Sequence, residues 1–442
     1  MNKRVHWLWA CVLALYALSG YALVPFHADE STQIFMSHDF HYHFLQNDLE
    51  RLYYNPNSTS EDEQYLRLIN GTVNKYSMGL AWWLAGYTVE DVNQDWVWGE
   101  SFQYNVEAGN TPSPGLLRTA RLPSSLFLAG SVLLLFWAAM RFAGRPVAYI
   151  ATTYYALNPA VLLNGRRAMM EGSLMFGLAA VLLVGVLFVQ ARGWRIWAIV
   201  GLLALASGFA VAGKHTNAFV VASVFVGCAL HAGFQRETWQ QALRRLGALA
   251  VAGVLAIGVF FALNPGWWAT PVAAANYALE ERSTLLSAQA GGNAGYTSPR
   301  HQLQGFYRQV LVGTPMHYEV GIFGEALAAD IDRYNASGLG GLRPTFAASV
   351  IIFFLFVLGL FPLFGALPMQ SIDADARWVV GSYIALMTLF VIFVTPLEWQ
   401  RYYLVGIPAV GLSAALGAAW IGEQVVYAVR QSEQGRLASE TD

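Results

Sequence analysis

Long apolar runs separated by polar loops dominate this chain. They occupy roughly residues 7–26, 122–141, 146–163, 170–190, 195–212, 216–233, 246–264, 346–367, 378–395 and 402–421. A helix needs about 20 apolar residues to cross a bilayer. Backbone groups in lipid must be satisfied within their own segment, so each run predicts a transmembrane helix. The expected fold is all-α, an integral membrane protein with about 10 transmembrane helices. The first run follows Met1-Asn2-Lys3-Arg4. A signal peptide cleaved after Ala17-Leu18-Ser19 is the alternative there, but the length of the run favours a retained helix. The organisation that follows is 1–26, a first helix; 27–120, a first external loop; 121–264, helices two to seven; 265–345, a second external loop; 346–422, helices eight to ten; and 423–442, a cytoplasmic tail, expected to be disordered after Gln431.

The short loops set the orientation. Lys3, Arg4, Arg141, Arg145, Arg192, Arg195, Arg236, Arg244, Arg245 and Arg377 fall on one side, which the positive-inside rule makes cytoplasmic. Both long loops then face outward. Residues 27–120 hold 13 of the 28 acidic residues, together with Trp82, Trp83, Trp96 and Trp98. That mixture predicts interfacial helices against the headgroup layer rather than a solvated domain.

Composition agrees. Of 442 residues, 56% are hydrophobic and 12% charged, where a soluble domain carries about 25% charged residues. A net charge of −2 gives no footing for nucleic-acid binding. Cys11 and Cys228 both lie in apolar runs, which excludes a metal–thiolate cluster and argues against a structural disulfide. Three lysines stand against 23 arginines, so Lys75 and Lys214 are conspicuous.

The outward side collects the candidate chemistry. Asp29 and Glu30 follow the first run. Lys75 and Tyr76 lie in the first loop. Arg166, Arg167 and Glu171 lie between runs three and four, Lys214 and His215 between five and six, and Glu398, Arg401 and Tyr402 between nine and ten. Cations at headgroup depth suit a phosphate or pyrophosphate. A carboxylate beside them can take a proton from an attacking hydroxyl. Each residue has a plainer reading. Asp29 can cap a helix beginning near Ser31, Arg167 and Glu171 can form an i,i+4 pair, and Arg166 or Lys214 can snorkel to headgroups. His38, His41 and His43 with Asp39 form a possible metal cluster, more simply read as a solvated helix face. Asn57, Asn70 and Asn335 head N-x-Ser/Thr triplets.

Taken in order, these stretches resemble the GT-C superfamily of polyprenyl-phosphate-sugar-dependent membrane glycosyltransferases, which includes protein O-mannosyltransferases and aminoarabinose transferases. The resemblance rests on Asp29-Glu30, on Asn74-Lys75-Tyr76 through Trp83-Leu84, and on Arg121-Leu122-Pro123-Ser124. It continues in Arg166 to Glu171, Gly213-Lys214, and Arg401-Tyr402-Tyr403-Leu404 with Pro408. Tyr76 and Ser77 stand where the family carries two prolines, and Asn74 where some relatives carry a carboxylate. Residues 265–345 match no family motif and are expected to set acceptor choice.

The resemblance implies an inverting transferase on the outer side of the cytoplasmic membrane. Asp29 would be the general base and Glu30 its helper. Lys75, Tyr76, Arg166, Arg167, Glu171, Lys214, His215, Arg401 and Tyr402 would bind the donor and its phosphate. The partners implied are a polyprenyl-phosphate sugar donor, an acceptor lipid, glycan or protein, and membrane lipids. No cofactor is required, and a divalent metal is possible but unsupported. A lipid-anion transporter and a non-catalytic lipid-binding subunit are the alternatives. The first would more typically show internal repeats and broken helices at mid-membrane.

Overall fold

The computed structural model describes residues 3–234, 238–291, 295–319 and 323–439. Those residues are helical or irregular, with a single isolated β-bridge between Gly295 and Leu397. Eight helices among them are long and apolar enough to cross a membrane: Pro114–Ala156, Glu171–Gln190, Arg195–Gly213, Asn217–Phe234, Trp239–Leu263, Phe346–Leu363, Ala376–Val394 and Gly406–Gln434. A shorter apolar helix spans His6–Leu18. The chain is a multi-span membrane protein.

The first long helix is two antiparallel arms. Helical geometry breaks at Ala143 (φ −143°, ψ 19°) and Gly144 (φ 76°, ψ −166°). A side chain at Gly144 would meet the steric penalty of positive φ, which glycine escapes. Beyond the break the chain returns on itself. Ser131 Oγ lies 2.7 Å from the Tyr155 hydroxyl, and the rings of Phe136 and Tyr149 sit 5.9 Å apart. The expected runs 122–141 and 146–163 are these two arms. The core forms where they meet the first helix and Glu171–Gln190, around Leu135, Phe142, Ala151, Leu178 and Leu182, all buried.

Three boundaries differ from the sequence reading. The first helix ends at Leu18, short of residue 26, because Arg166 turns in and takes its last carbonyls: Nε donates to Ala17 O at 2.8 Å and Nη2 to Tyr16 O at 2.6 Å. The second begins at Pro114, with Ser113 as N-cap, so Arg121 lies within a helix rather than at its start. The last runs on from Gly406 to Ser439, making the expected disordered tail a helical extension.

The connections carrying the candidate residues meet at one end of the bundle, forming a cap. Four short helices there come from the first loop: Ala28–Met36, Glu61–Ile69, Thr72–Leu84 and Phe102–Glu107. The second loop adds Pro271–Gln289, Pro299–Phe306 and Gly324–Ala336. Gly71 allows the cap to sit down on the bundle. A Cβ there would lie 2.0 Å from the Gly213 carbonyl oxygen. Only a bare backbone lets the start of Thr72–Leu84 touch the end of Arg195–Gly213, and this contact brings Lys75 and Lys214 into neighbouring positions.

Candidate active site

Asp29 and Glu30 occupy the first turn of the Ala28–Met36 helix, where exposed backbone N–H groups favour negative charge. The N-cap is His27, not Asp29. Its Nδ1 accepts the Asp29 N–H at 3.1 Å, while Glu30 Oε2 accepts the His27 N–H at 3.0 Å. This reciprocal box sets the directions of the two acidic side chains, and they diverge.

Glu30 turns inward and is fully buried. Its Oε1 accepts from Arg121 Nε and from the Ala168 N–H, each at 2.7 Å, and its Oε2 accepts from Arg121 Nη2 at 2.7 Å. With the His27 N–H, all four acceptor directions of the carboxylate are occupied. Glu30 therefore anchors the first loop to the Arg121 helix and to the 166–168 turn, and no lone pair remains for a substrate. Burial alone would push its carboxyl up, but the Arg121 guanidinium outweighs that and holds it below the usual carboxylate range.

Asp29 turns outward, with its side chain 21% exposed. Its carboxylate pairs closely with Arg401 Nη1. Arg401 Nε also lies 3.5 Å from Glu319 Oε1, and the guanidinium sits 4.9 Å from the Trp399 ring centroid, over its face. Glu319 Oε2 contacts His27 Nε2 at 2.6 Å. Because Nδ1 of His27 is an acceptor, Nε2 carries the proton and donates it to Glu319. Burial holds the His27 ring below its ordinary pKa, so it is neutral. Burial would raise Glu319, but His27 and Arg167 outweigh it and keep that carboxyl ionised. Asp29, Arg401, Glu319 and His27 thus form a ring of alternating donors and acceptors. Arg401, Glu319 and His27 line a cleft together with Phe26, Trp96, Trp98, Tyr318 and Trp399.

The other candidate cations sit elsewhere. Lys75 is buried and donates to Asp39 Oδ2 at 2.7 Å. Arg67 holds the same carboxylate in a fork, with Nε 3.0 Å from Oδ2 and Nη2 2.8 Å from Oδ1. Lys75 and Arg67 outweigh burial and hold the Asp39 carboxyl well below its usual range. Where some relatives have a carboxylate in sequence beside the lysine, this chain supplies Asp39 through space. Ten residues of nearly continuous helix separate Asp29 from Asp39, about 15 Å at helical rise, so Lys75 and Arg401 do not share one phosphate-sized site. Tyr76 contacts His43 Nδ1 through its hydroxyl at 3.0 Å.

Lys214 donates to Glu171 Oε1 at 2.5 Å. The i,i+4 pair of Arg167 with Glu171 is not formed, because the helix starts only at Glu171. Arg167 instead donates to the carbonyls of Pro25 (3.3 Å) and His317 (2.5 Å). Arg166 gives four of its five N–H donors to the Ala17, Tyr16 and Leu339 carbonyls and to the Tyr334 hydroxyl. His215 sits edge-on to Phe260 and Trp267. Burial, helped by Arg282 and Lys75, holds it down to about 4. Tyr402 stacks on Trp399, with centroids 6.0 Å apart and planes 8° from parallel. Glu398 is tied to Arg308 and Gln309.

The His38, His41, His43 and Asp39 cluster is dispersed. Asp39 belongs to Arg67 and Lys75, His43 stacks on Phe44, and among the described residues no three His, Cys, Asp or Glu side chains are arranged to hold a metal. Asp29 and Glu319 are likewise parted by Arg401 and His27.

Sequence reasoning missed Glu319 and Arg67. Glu319 had one signal: between Arg308 and Glu325 it is the sole Asp, Glu, Lys or Arg.

A family model, dolichyl-phosphate-mannose-protein mannosyltransferase, matches residues 66–274. The fold is similar to that of the oligosaccharyltransferase AglB from Archaeoglobus fulgidus, solved with an inhibitory peptide and a dolichol-phosphate (TM-score 0.53, 13% identity, 97% of this chain and 52% of that one). It is also similar to ArnT from Cupriavidus metallidurans, bound to undecaprenyl phosphate (TM-score 0.51, 15% identity, 99% and 65%). A weaker match is the Pmt1–Pmt2 protein O-mannosyltransferase complex of S. cerevisiae bound to its sugar donor (TM-score 0.45, 16% identity, 60% and 34%). This chain therefore spans only part of each of these structures. No curated protein sequence matches it. Over nearly its whole length the chain shares the membrane fold of AglB and ArnT.

Proposed function

We propose that the chain transfers a sugar from a polyprenyl-phosphate carrier to an acceptor hydroxyl, with inversion, at the outer face of the cytoplasmic membrane. One observation carries this reading: Asp29 is held at a helix N-terminus with its carboxylate against Arg401, which lines the cleft, while the neighbouring Glu30 is saturated and buried.

Arg401 is the cation available to a leaving phosphate. Its guanidinium now serves Asp29. A donor phosphate at the same place competes for it and releases the carboxylate, so the base becomes free only when the donor is present. The acceptor hydroxyl then gives its proton to Asp29. Its oxygen bonds to the anomeric carbon from the face opposite the phosphate, and the bond from that carbon to the phosphate oxygen breaks. The departing phosphate keeps its charge against Arg401. His27 and Glu319 hold both partners in place. Lys75 and Lys214, each buried and engaged by a carboxylate, position the rest of the cap.

The test is sugar release from radiolabelled polyprenyl-phosphate sugars by the chain and by Asp29→Asn. A general base contributes about 10²–10⁴-fold in rate, and release should fall by that factor with donor binding retained. Full turnover by Asp29→Asn would remove Asp29 as the base. Lipid moved between leaflets with no sugar released would replace the transferase reading with a transport one.

A further inference from the structure

The cleft beside Asp29 has two kinds of wall. One is flat and aromatic. Trp98 is 45% exposed, Trp96 packs tilted against Phe102 and edge-on to Phe323, and Trp399 is stacked on Tyr402. The other is charged and made of Arg401, Glu319 and the His27 cap. Trp96 is only 3% exposed, and among the described residues its Nε1 makes no hydrogen bond. A buried donor without a partner calls for an explanation, and an acceptor on a bound molecule is one.

We infer that this cleft is the acceptor subsite and that its ligand is a saccharide. The inference rests on the transferase reading above and names the substrate class for it. A pyranose ring has apolar C–H faces that lie flat on indole rings. Its rim of hydroxyls can accept from Trp96 Nε1 and donate to Glu319. An acyl chain would need a wall free of charge, because desolvating Arg401 and Glu319 against hydrocarbon is costly. A peptide brings an N–H and a C=O at every residue, and the described residues around the cleft offer aromatic faces and no strand edge to pair them. The acceptor hydroxyl held here lies next to Asp29. Its proton passes to that carboxylate as its oxygen replaces the phosphate on the donor carbon.

Binding can be read without turnover. The full chain, in detergent, is titrated with neutral hexasaccharides built from mannose, glucose or N-acetylglucosamine, and with a serine- and threonine-rich peptide of similar mass, while tryptophan emission is followed. At least one saccharide should bind saturably and the peptide should not. Trp98→Ala should weaken that saccharide by about tenfold, and Trp98→Phe, which restores a flat ring, should recover most of the loss. Trp98 is half-exposed, so both variants should fold. Binding of the peptide instead, of no saccharide, or of a saccharide with undiminished affinity in Trp98→Ala would overturn the inference. Saccharide binding by a chain that releases sugar from no polyprenyl-phosphate donor would overturn the transferase reading and leave the saccharide cleft standing. Donor turnover without saccharide binding would do the reverse.

Discussion

Arg401 pairs with Asp29 across 372 positions of sequence, joining the connection before the last helix to the first helix of the cap. Each side chain restrains the other. Neutralising Asp29 should therefore do two opposite things: abolish transfer and free Arg401 for the donor phosphate. Asp29→Asn is expected to bind the polyprenyl-phosphate donor more tightly than the parent, by roughly tenfold, an interaction energy of about 1.4 kcal/mol and within the range for contacting residues. Arg401→Ala should weaken donor binding, and adding Asp29→Asn in that background should give no tightening. Donor affinities measured by equilibrium binding on the four proteins decide it. A gain that persists without Arg401 would show that the two side chains do not compete.

Glu30 should behave as a structural group although it stands beside Asp29, the proposed base. Removing one member of a buried ion pair costs about 3–5 kcal/mol, because the other charge is left uncompensated. Glu30→Gln leaves Arg121 without its partner and weakens the hold on the Ala168 N–H. Its loss of thermal stability in detergent should far exceed that of Asp29→Asn, whose carboxylate is partly exposed. Equal stability of the two variants would contradict the division of labour described here.

The contrast between Asp29 and Glu30 shows how far the sequence could be read. Their presence at the end of the first apolar run was legible, and so was the gathering of cations at one end of the bundle. Their roles were not. Consecutive residues on a helix point about 100° apart, so one carboxylate faces the bundle and the other Arg401, and no local pattern says which. Arg166 failed for a related reason. A buried arginine that serves backbone carbonyls has the same sequence signature as one awaiting a phosphate, and only the early end of the first helix distinguishes them. Glu319 was out of reach because its meaning lies in partners nearly 300 positions away, His27 above all. The apolar runs, by contrast, report a requirement of the bilayer that holds segment by segment, so the helical membrane fold was plain. The return at Gly144 was legible only as a gap between two runs.

Gly71 offers a test of how the cap is seated. In Gly71→Ala the new methyl would meet the Gly213 carbonyl, and overpacking of this kind costs about 1–3 kcal/mol. The cap should shift away from the end of Arg195–Gly213, lowering the unfolding temperature and loosening the surroundings of Lys214. Gly247→Ala, in the Trp239–Leu263 helix with open space around it, is the control and should be neutral or slightly stabilising. A Gly71→Ala protein as stable as the parent would mean that the contact is easily remodelled.

Two histidines in the cap connections set a pH dependence whose sign can be worked out. Burial, then Arg282 and Lys75, hold His215 down to about 4. Burial, then Arg167 and Arg343, do the same for His317. Unfolded, both rings titrate near 6.5. As pH falls below about 6.5 the unfolded chain takes up protons that the folded chain refuses until about pH 4, so stability is complete above 6.5 and declines steadily between the two values. Unfolding temperatures measured in detergent from pH 7.5 to 4.5 should trace that decline. His215→Gln removes one of the two groups and should make the slope shallower, whatever it does to stability at neutral pH. A profile with unchanged slope in that variant would mean that the His215 ring accepts its proton in the folded cap as readily as in water, and that its setting between Phe260, Trp267 and the nearby cations does not oppose the charge.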